Sequence, residues 1–220
     1  MAIFITATST HIGKTLFCSL VMAKYGLQKK LRYFKPIQTG IEMDREQVMV
    51  LSGLGTESFL SEAYHFRFPA SPHWAAEKEN KKVDVLTLCQ KLQKFRTQPM
   101  LIEGAGGLYV PITHDQYMID LIQAAQLSVI LVAPTELGAI NQTMLSLVAL
   151  RVKKIACLGI YFVGKDNLYR ENNIQTIEEM SNEKILGEFI LPEREISPSE
   201  FRRYAQQHFD ESGRIREMLI

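Results

Sequence analysis

Residues 7–15 read Ala7-Thr8-Ser9-Thr10-His11-Ile12-Gly13-Lys14-Thr15, and this stretch decides the fold. Before it, residues 2–7 (AIFITA) form a short β-prone run with apolar side chains on both faces, which suits a buried parallel strand. After it, Leu16, Leu20, Ala23 and Leu27 recur at helical spacing and predict a helix over 14–27. A strand, a polar turn ending in Gly-Lys-Thr and a helix together make a phosphate-binding loop. Backbone N–H groups and the helix N-terminus hold phosphate oxygens. Lys14 neutralises the β- and γ-phosphates, and the Thr15 hydroxyl can coordinate Mg²⁺. Thr8 stands where the strict GxxxxGK[ST] pattern has its first glycine, so the loop is a variant. His11 is read as a solvated loop residue acting through its backbone N–H, and Ile12, Gly13 and Leu16 complete the nucleotide-facing run.

Outward from the loop, strands are predicted at 31–34, 100–102, 128–133, 155–163 and 185–190. Helices are predicted at 44–53, 83–95, 119–125, 136–151, 172–181 and 198–208, with a turn at 35–40 and irregular chain over 56–82. This alternation predicts an α/β fold: a mostly parallel central sheet with helices on both faces, like the P-loop nucleoside-triphosphate hydrolases. No linker or repeat divides the chain, so 1–220 is read as one domain.

Composition narrows the function classes. Apolar residues at 46% and charged residues at 22% fit a globular chain and exclude collagen-like or disordered ones. Lys plus Arg number 25 and Asp plus Glu 24, a net charge of +1 that predicts neither a nucleic-acid nor a membrane partner. Cys18, Cys89 and Cys157 are far apart and form no metal or disulfide spacing, so they are expected as reduced thiols. With no signal-peptide pattern and no apolar run of spanning length, the expected location is the cytoplasm.

Ligands of open α/β sheets bind beyond the carboxyl ends of the strands. Four unusual loops come after strands here, at 8–15, 35–40, 103–111 and 134–141, and their convergence predicts an active site. Glu103 ends a strand where a P-loop protein places its metal-binding acid, and Gly104-Ala105-Gly106-Gly107 lets backbone approach a ligand closely. Asp44 reads equally as a helix N-cap or as a second carboxylate for the metal. Lys35, at a strand end before Pro36, faces the same edge as Lys14, and two converging lysines suit an anion that develops during reaction. Thr39 adds a hydroxyl nearby.

In order along the chain come TATSTHIGKT from Thr6, FKPIQTG from Phe34, PASPHWAAEKE from Pro69, LIEGAGGLYVPI from Leu101 and APTELGAINQTML from Ala133. This series resembles the dethiobiotin synthetases. The resemblance implies ligation of 7,8-diaminononanoate (7,8-diaminopelargonate) with CO₂, driven by ATP and Mg²⁺, through a carbamate and a carbamic-phosphoric anhydride. It implies Lys35 and Lys14 as catalytic lysines and Thr15, Asp44 and Glu103 as metal ligands. Thr10, Thr39 and Gly107 would contact substrate. The family works as a homodimer, and its LGxIN segment, here Leu137, Gly138 and Asn141, would receive the substrate carboxylate at a helix N-terminus. Gly138 near a helix start fits that role, since it leaves N–H groups free for an anion. His73, beside the sole tryptophan Trp74, is read as part of a packed turn near the substrate chain.

Departures from the family pattern cluster near the base. Many members carry Asn-Asp where this chain has Val163-Gly164, and Phe189-Ile190 stands where Ile-Pro is common. Loss of an amide contact predicts looser nucleotide selectivity, with ATP as the default. Two competing expectations are a P-loop switch of the partition type, whose extra lysine would fall at Ser9, and a nucleotide-binding protein without catalysis.

Overall fold

The computed structural model describes residues 1–219; position 220, the last of the span read as one domain, lies outside the described residues. The strands are β1 (Ala2–Ala7), β2 (Arg32–Phe34), β3 (Ile37–Thr39), β4 (Phe59–Leu60), β5 (Tyr64–Phe66), β6 (Met100–Glu103), β7 (Ser128–Ala133), β8 (Cys157–Gly164) and β9 (Ile185–Ile190). The helices are α1 (Lys14–Tyr25), α2 (Asp44–Ser52), α3 (Pro72–Lys78), α4 (Val85–Phe95), α5 (Met118–Ala125), α6 (Ala139–Val152), α7 (Arg170–Ser181), α8 (Pro198–Gln207) and α9 (Arg214–Met218).

Seven strands form one sheet in the order β4-β2-β6-β1-β7-β8-β9, and every neighbouring pair is parallel. Alternation along each strand sorts side chains between two apolar layers. Ile3, Ile5 and Ala7 of β1 face Phe17, Leu20 and Val21 of α1, together with Phe201 of α8 and Ile215 of α9. Ala2 and Phe4 face the other layer, with Leu88 of α4, Ile122 of α5, Leu147 of α6 and Ile177 of α7. Helices therefore cover both faces, and β1 sits centrally with all six residues buried. Its carboxyl end delivers the phosphate loop to the middle of the sheet edge.

Several boundaries differ from the sequence expectation for physical reasons. The first helix stops at Tyr25, and Leu27 is 75% exposed rather than on a buried stripe. Gly26 O accepts from Leu31 N–H and turns the chain into β2. The turn at 35–40 contains β3, and the irregular 56–82 contains β4, β5 and α3. β3 and β5 form a separate parallel pair, Ile37 opposite Tyr64 and Thr39 opposite Phe66. Such short strands show no periodicity; tertiary pairing makes them. Asp84 caps α4, accepting from Thr87 N–H at 3.0 Å, so that helix begins at Val85. The helix expected from 136 begins at Ala139, behind Gly138 in left-handed conformation. α9, absent from the sequence expectation, is held by Asp210, which accepts from Ile215 N–H and Arg216 N–H. No described helix is long and apolar enough to cross a membrane.

Candidate active site

The loop from β1 into α1 is shaped by two backbone positions. His11 is left-handed at φ 59° and exposed, and Gly13 is left-handed at φ 94°. Gly13 is required twice over: a Cβ there would lie 2.5 Å from Val163 Cγ1. Gly13 O accepts from Phe17 N–H at 2.9 Å and starts α1. This helix has no side-chain cap and no acid in its first turn, so its N–H groups and positive dipole end stay available to an anion. Ala7, at the start of the loop, lies in β1 without positive φ.

Glu103 is fully buried at the end of β6 and is the centre of the site. Its Oε1 accepts from Thr15 Oγ1 at 2.9 Å and from Lys35 Nζ at 3.0 Å; its Oε2 accepts from Tyr33 Oη at 2.8 Å. Lys35 Nζ also donates to Gly104 O at 3.1 Å and pairs with Asp44 Oδ2 at 2.5 Å. One ammonium thus bridges both carboxylates. Burial opposes the charge on Lys35, but Glu103 and Asp44 outweigh it and hold the pKa above the ordinary lysine value. Burial works against the Glu103 charge too, yet Lys35, Lys14 and Tyr33 keep its carboxyl below the usual range. Asp44 is pushed up by burial and by repulsion from Glu103, against the pull of Lys35.

Lys14 donates to Ser9 O at 3.3 Å, curling its side chain back over the loop. Burial first, and the positive charge of Lys35 second, lower its pKa to about 8. Two buried ammonium groups repelling each other define a place that an anion stabilises.

Sequence alone leaves Asp44 as an N-cap or a metal ligand. It is the first residue of α2 after an N-cap at Met43, with no capping hydrogen bond, and its carboxylate points to Lys35. The β3–β5 pair brings it there. Gly40 N–H donates to Phe66 O at 2.9 Å, and the Gln38 amide donates to Thr39 O and Glu42 O at 3.1 and 2.8 Å. Gln38 is buried, although in sequence it reads as one polar residue in a turn.

The glycine-rich turn after β6 closes on the phosphate loop. Gly104 N–H donates to Ile5 O at 2.9 Å. A Cβ at Gly107 would meet Ala7 O at 3.2 Å and Thr8 O at 3.3 Å. One at Gly106 would lie 3.3 Å from Thr10 Oγ1, so Thr10 and this turn adjoin. Ala105 is buried between them in sequence and joins the apolar layer of Phe4.

Leu137, Gly138 and Asn141 come after β7 on the same sheet edge but are exposed, and none of them enters the lysine–carboxylate cluster. Val163 is buried against Gly13, and Gly164 O accepts from Leu191 N–H at 2.8 Å. Ile12 and Leu16 are half-buried and pack on the α1 layer. His73 Nδ1 lies 3.0 Å from Ser71 Oγ, its ring 5.5 Å from that of His114. Among the described residues no three His, Cys, Asp or Glu side chains form a metal cluster. The oxygen donors at the centre are two carboxylates and one hydroxyl, a hard set that suits a cation which keeps water and phosphate ligands of its own.

Comparison with known proteins gives these residues their setting. A family model described as an AAA domain matches residues 1–197. The ATP-dependent dethiobiotin synthetase BioD of Leptospira interrogans is 42% identical over 221 aligned positions, covering 100% of both chains. The chain belongs to the ATP-dependent dethiobiotin synthetase family. The synthetase of Nitrobacter hamburgensis is 42% identical over 188 residues, covering 84% of each chain. Membership makes this protein an ATP-dependent ligase that forms carbon–nitrogen bonds in biotin synthesis. The cell-division protein MinD of Aquifex aeolicus, in its complex with MinC, shares the fold at TM-score 0.55 and 13% identity, covering 93% of this chain and 86% of the other. At that identity the likeness concerns the fold alone.

Proposed function

We propose that this synthetase joins CO₂ to 7,8-diaminononanoate and closes the ring to dethiobiotin. The observation that carries the reading is the buried Lys35 bridging Glu103 and Asp44, next to Lys14 and Thr15 at the phosphate loop. One substrate amine takes up CO₂ as a carbamate and releases a proton. The carbamate oxygen attacks the γ-phosphorus of ATP, and ADP leaves. The second amine attacks the carbamic carbon, phosphate leaves, and a proton is lost as the urea closes.

Two lysines make a poor cradle for a cationic diamine and a good one for its carboxylated and phosphorylated products. Carbamate and pentavalent phosphorus are anionic, so Lys35 and Lys14 stabilise the reacting species more than the starting amine. The free N–H groups of α1 and of residues 11–16 receive the phosphates. Thr10, Thr39 and Gly107 line the substrate side.

Thr15, Asp44 and Glu103 would hold Mg²⁺. When bound, the metal spreads the charge of the transferring phosphoryl group. Lys35 keeps the two carboxylates together until then.

Leu137, Gly138 and Asn141 are assigned to the substrate carboxylate across a homodimer interface. In support, Leu145, Val148 and Val152 line one face of α6 and are 61%, 50% and 72% exposed. Three free cysteines fit a cytoplasmic protein, and the one continuous seven-stranded sheet fits a single domain.

The test is phosphate release from Mg-ATP and bicarbonate, with and without 7,8-diaminononanoate, and analysis of the product. Diamine-dependent release with dethiobiotin formed is the expected result. Hydrolysis indifferent to the diamine would sink the proposal and favour a nucleotide switch.

A further inference from the structure

Tyr33 stands just before the FKPIQTG stretch and belongs to no motif itself, yet it makes a well-defined contact in the site. It is fully buried in β2, and its hydroxyl donates to Glu103 Oε2 at 2.8 Å. Glu103 is buried to the same degree, so no water competes for that oxygen. The terminal torsion of a glutamate is soft, with a broad two-fold profile, and packing alone does not fix the plane of its carboxylate. Donors on both oxygens do. Thr15 and Lys35 hold Oε1, and Tyr33 holds Oε2.

The three donors differ in what else they are placed to do. Thr15 lies in the first turn of the phosphate-loop helix, and Lys35 also pairs with Asp44. Both sit where a nucleotide and its cation arrive. Tyr33 lies behind, in the layer beneath α1, with its ring 5.8 Å from that of Phe59. The phenol has a single O–H to give, and it goes to Glu103. Its hydroxyl makes no other hydrogen bond among the described residues.

We infer that Tyr33 is a positioning residue, whose hydroxyl pins Glu103 Oε2 so that Oε1 is presented to the metal beside Thr15. This rests on the assignment of Glu103 as a metal ligand proposed above. Partners of metal-binding carboxylates set metal affinity through orientation, and losing one commonly costs about 10- to 100-fold.

The experiment uses the full chain as Tyr33→Phe, Glu103→Gln and the double variant. Mn²⁺ binding to the protein–ADP complex is measured by calorimetry. Metal-free ADP affinity, melting temperature and the Mg²⁺ dependence of diamine-driven phosphate release are read alongside. Tyr33→Phe keeps the ring against Phe59 and removes only the donor. The expected outcome is Mn²⁺ binding weakened about 10-fold, with metal-free ADP affinity unchanged. On the Glu103→Gln background the same change adds nothing beyond about twofold. Unchanged Mn²⁺ binding in Tyr33→Phe, with weakening in Glu103→Gln, overturns the role of Tyr33 and leaves the ligand assignment standing. An equal effect of Tyr33→Phe on both backgrounds also overturns it, because the residue then does not act through Glu103. Unaltered Mn²⁺ binding in Glu103→Gln removes the ligand assignment and this inference together.

Discussion

Lys35 Nζ lies 3.0 Å from Glu103 Oε1, and both side chains are buried. An ion pair of this kind contributes little net stability, but removing one partner leaves the other charge unpaired in a dry place. Lys35→Ala is therefore expected to act twice. Folding stability falls by about 3–5 kcal/mol, read by urea unfolding. Diamine-dependent turnover falls at least about 100-fold if Lys35 supplies a typical electrostatic contact to the transition state. Turnover like the wild type, in protein shown to be folded, would take Lys35 out of the mechanism.

Gly13 gives a prediction about the loop alone. Gly13→Ala meets both a left-handed φ of 94° and Val163 Cγ1 at 2.5 Å. Backbone strain of this type costs about 1–3 kcal/mol, and relief requires the loop to move off β8. The N–H groups proposed to receive phosphate move with it. ADP affinity, measured by calorimetry, is expected to fall about tenfold or more, equivalent to about 1.4 kcal/mol of lost fit. An alanine variant that binds ADP as the wild type does would show that the loop geometry is not what holds the nucleotide.

The entry to α8 carries a pH dependence. Ser197 and Glu200 form a reciprocal cap, with Glu200 also bonded to Arg194 at 2.6 Å. Arg194 first, and the Ser197 backbone and hydroxyl next, lower the Glu200 pKa from 4.5 to about 2. A carboxyl depressed in the folded state stabilises it above the ordinary pKa. That contribution is complete above about pH 4.5, declines as pH falls, and is gone below about 2. The melting temperature of Glu200→Gln should lie below that of the wild type at pH 7, and the gap should close as pH approaches 2. A gap that stays constant down to pH 2 would show that charge on Glu200 is irrelevant to the cap.

Residue type at strand ends makes much of the centre readable from sequence. Lys14, Thr15, Lys35 and Glu103 stand out in that way, and they meet. The parts that stay hidden depend on contacts between segments far apart in the chain. Tyr33 falls unmarked inside the strand predicted at 31–34, because its partner is 70 positions away. Strand parity holds a clue, since Tyr33 is two residues before Lys35 and so shares its side of the chain. Asp44 reads equally as a cap or as a metal carboxylate until β3 and β5, too short to show a pattern, turn it toward Lys35. The fold is more legible than the site because buried parallel strands such as β1 and β7 announce themselves as continuous apolar runs.

Base selectivity is the last consequence. Val163 occupies the position where the family resemblance places an amide that contacts adenine. Here the side chain is buried, with both γ-carbons in the path of any Cβ at Gly13. It supports the phosphate loop from below, and an asparagine placed there would bury an amide against the loop. Two results are expected. Wild-type kcat/KM should differ little among ATP, GTP and CTP, because one absent hydrogen bond removes about 0.5–1.5 kcal/mol of discrimination. Val163→Asn should lower stability by about 1–3 kcal/mol for the unsatisfied amide, without raising the ATP-to-CTP ratio. Competition assays with the three nucleotides on both proteins decide this. A ratio that rises about tenfold in Val163→Asn, a gain of about 1.4 kcal/mol, would mean that the side chain at this position turns outward and reaches the base.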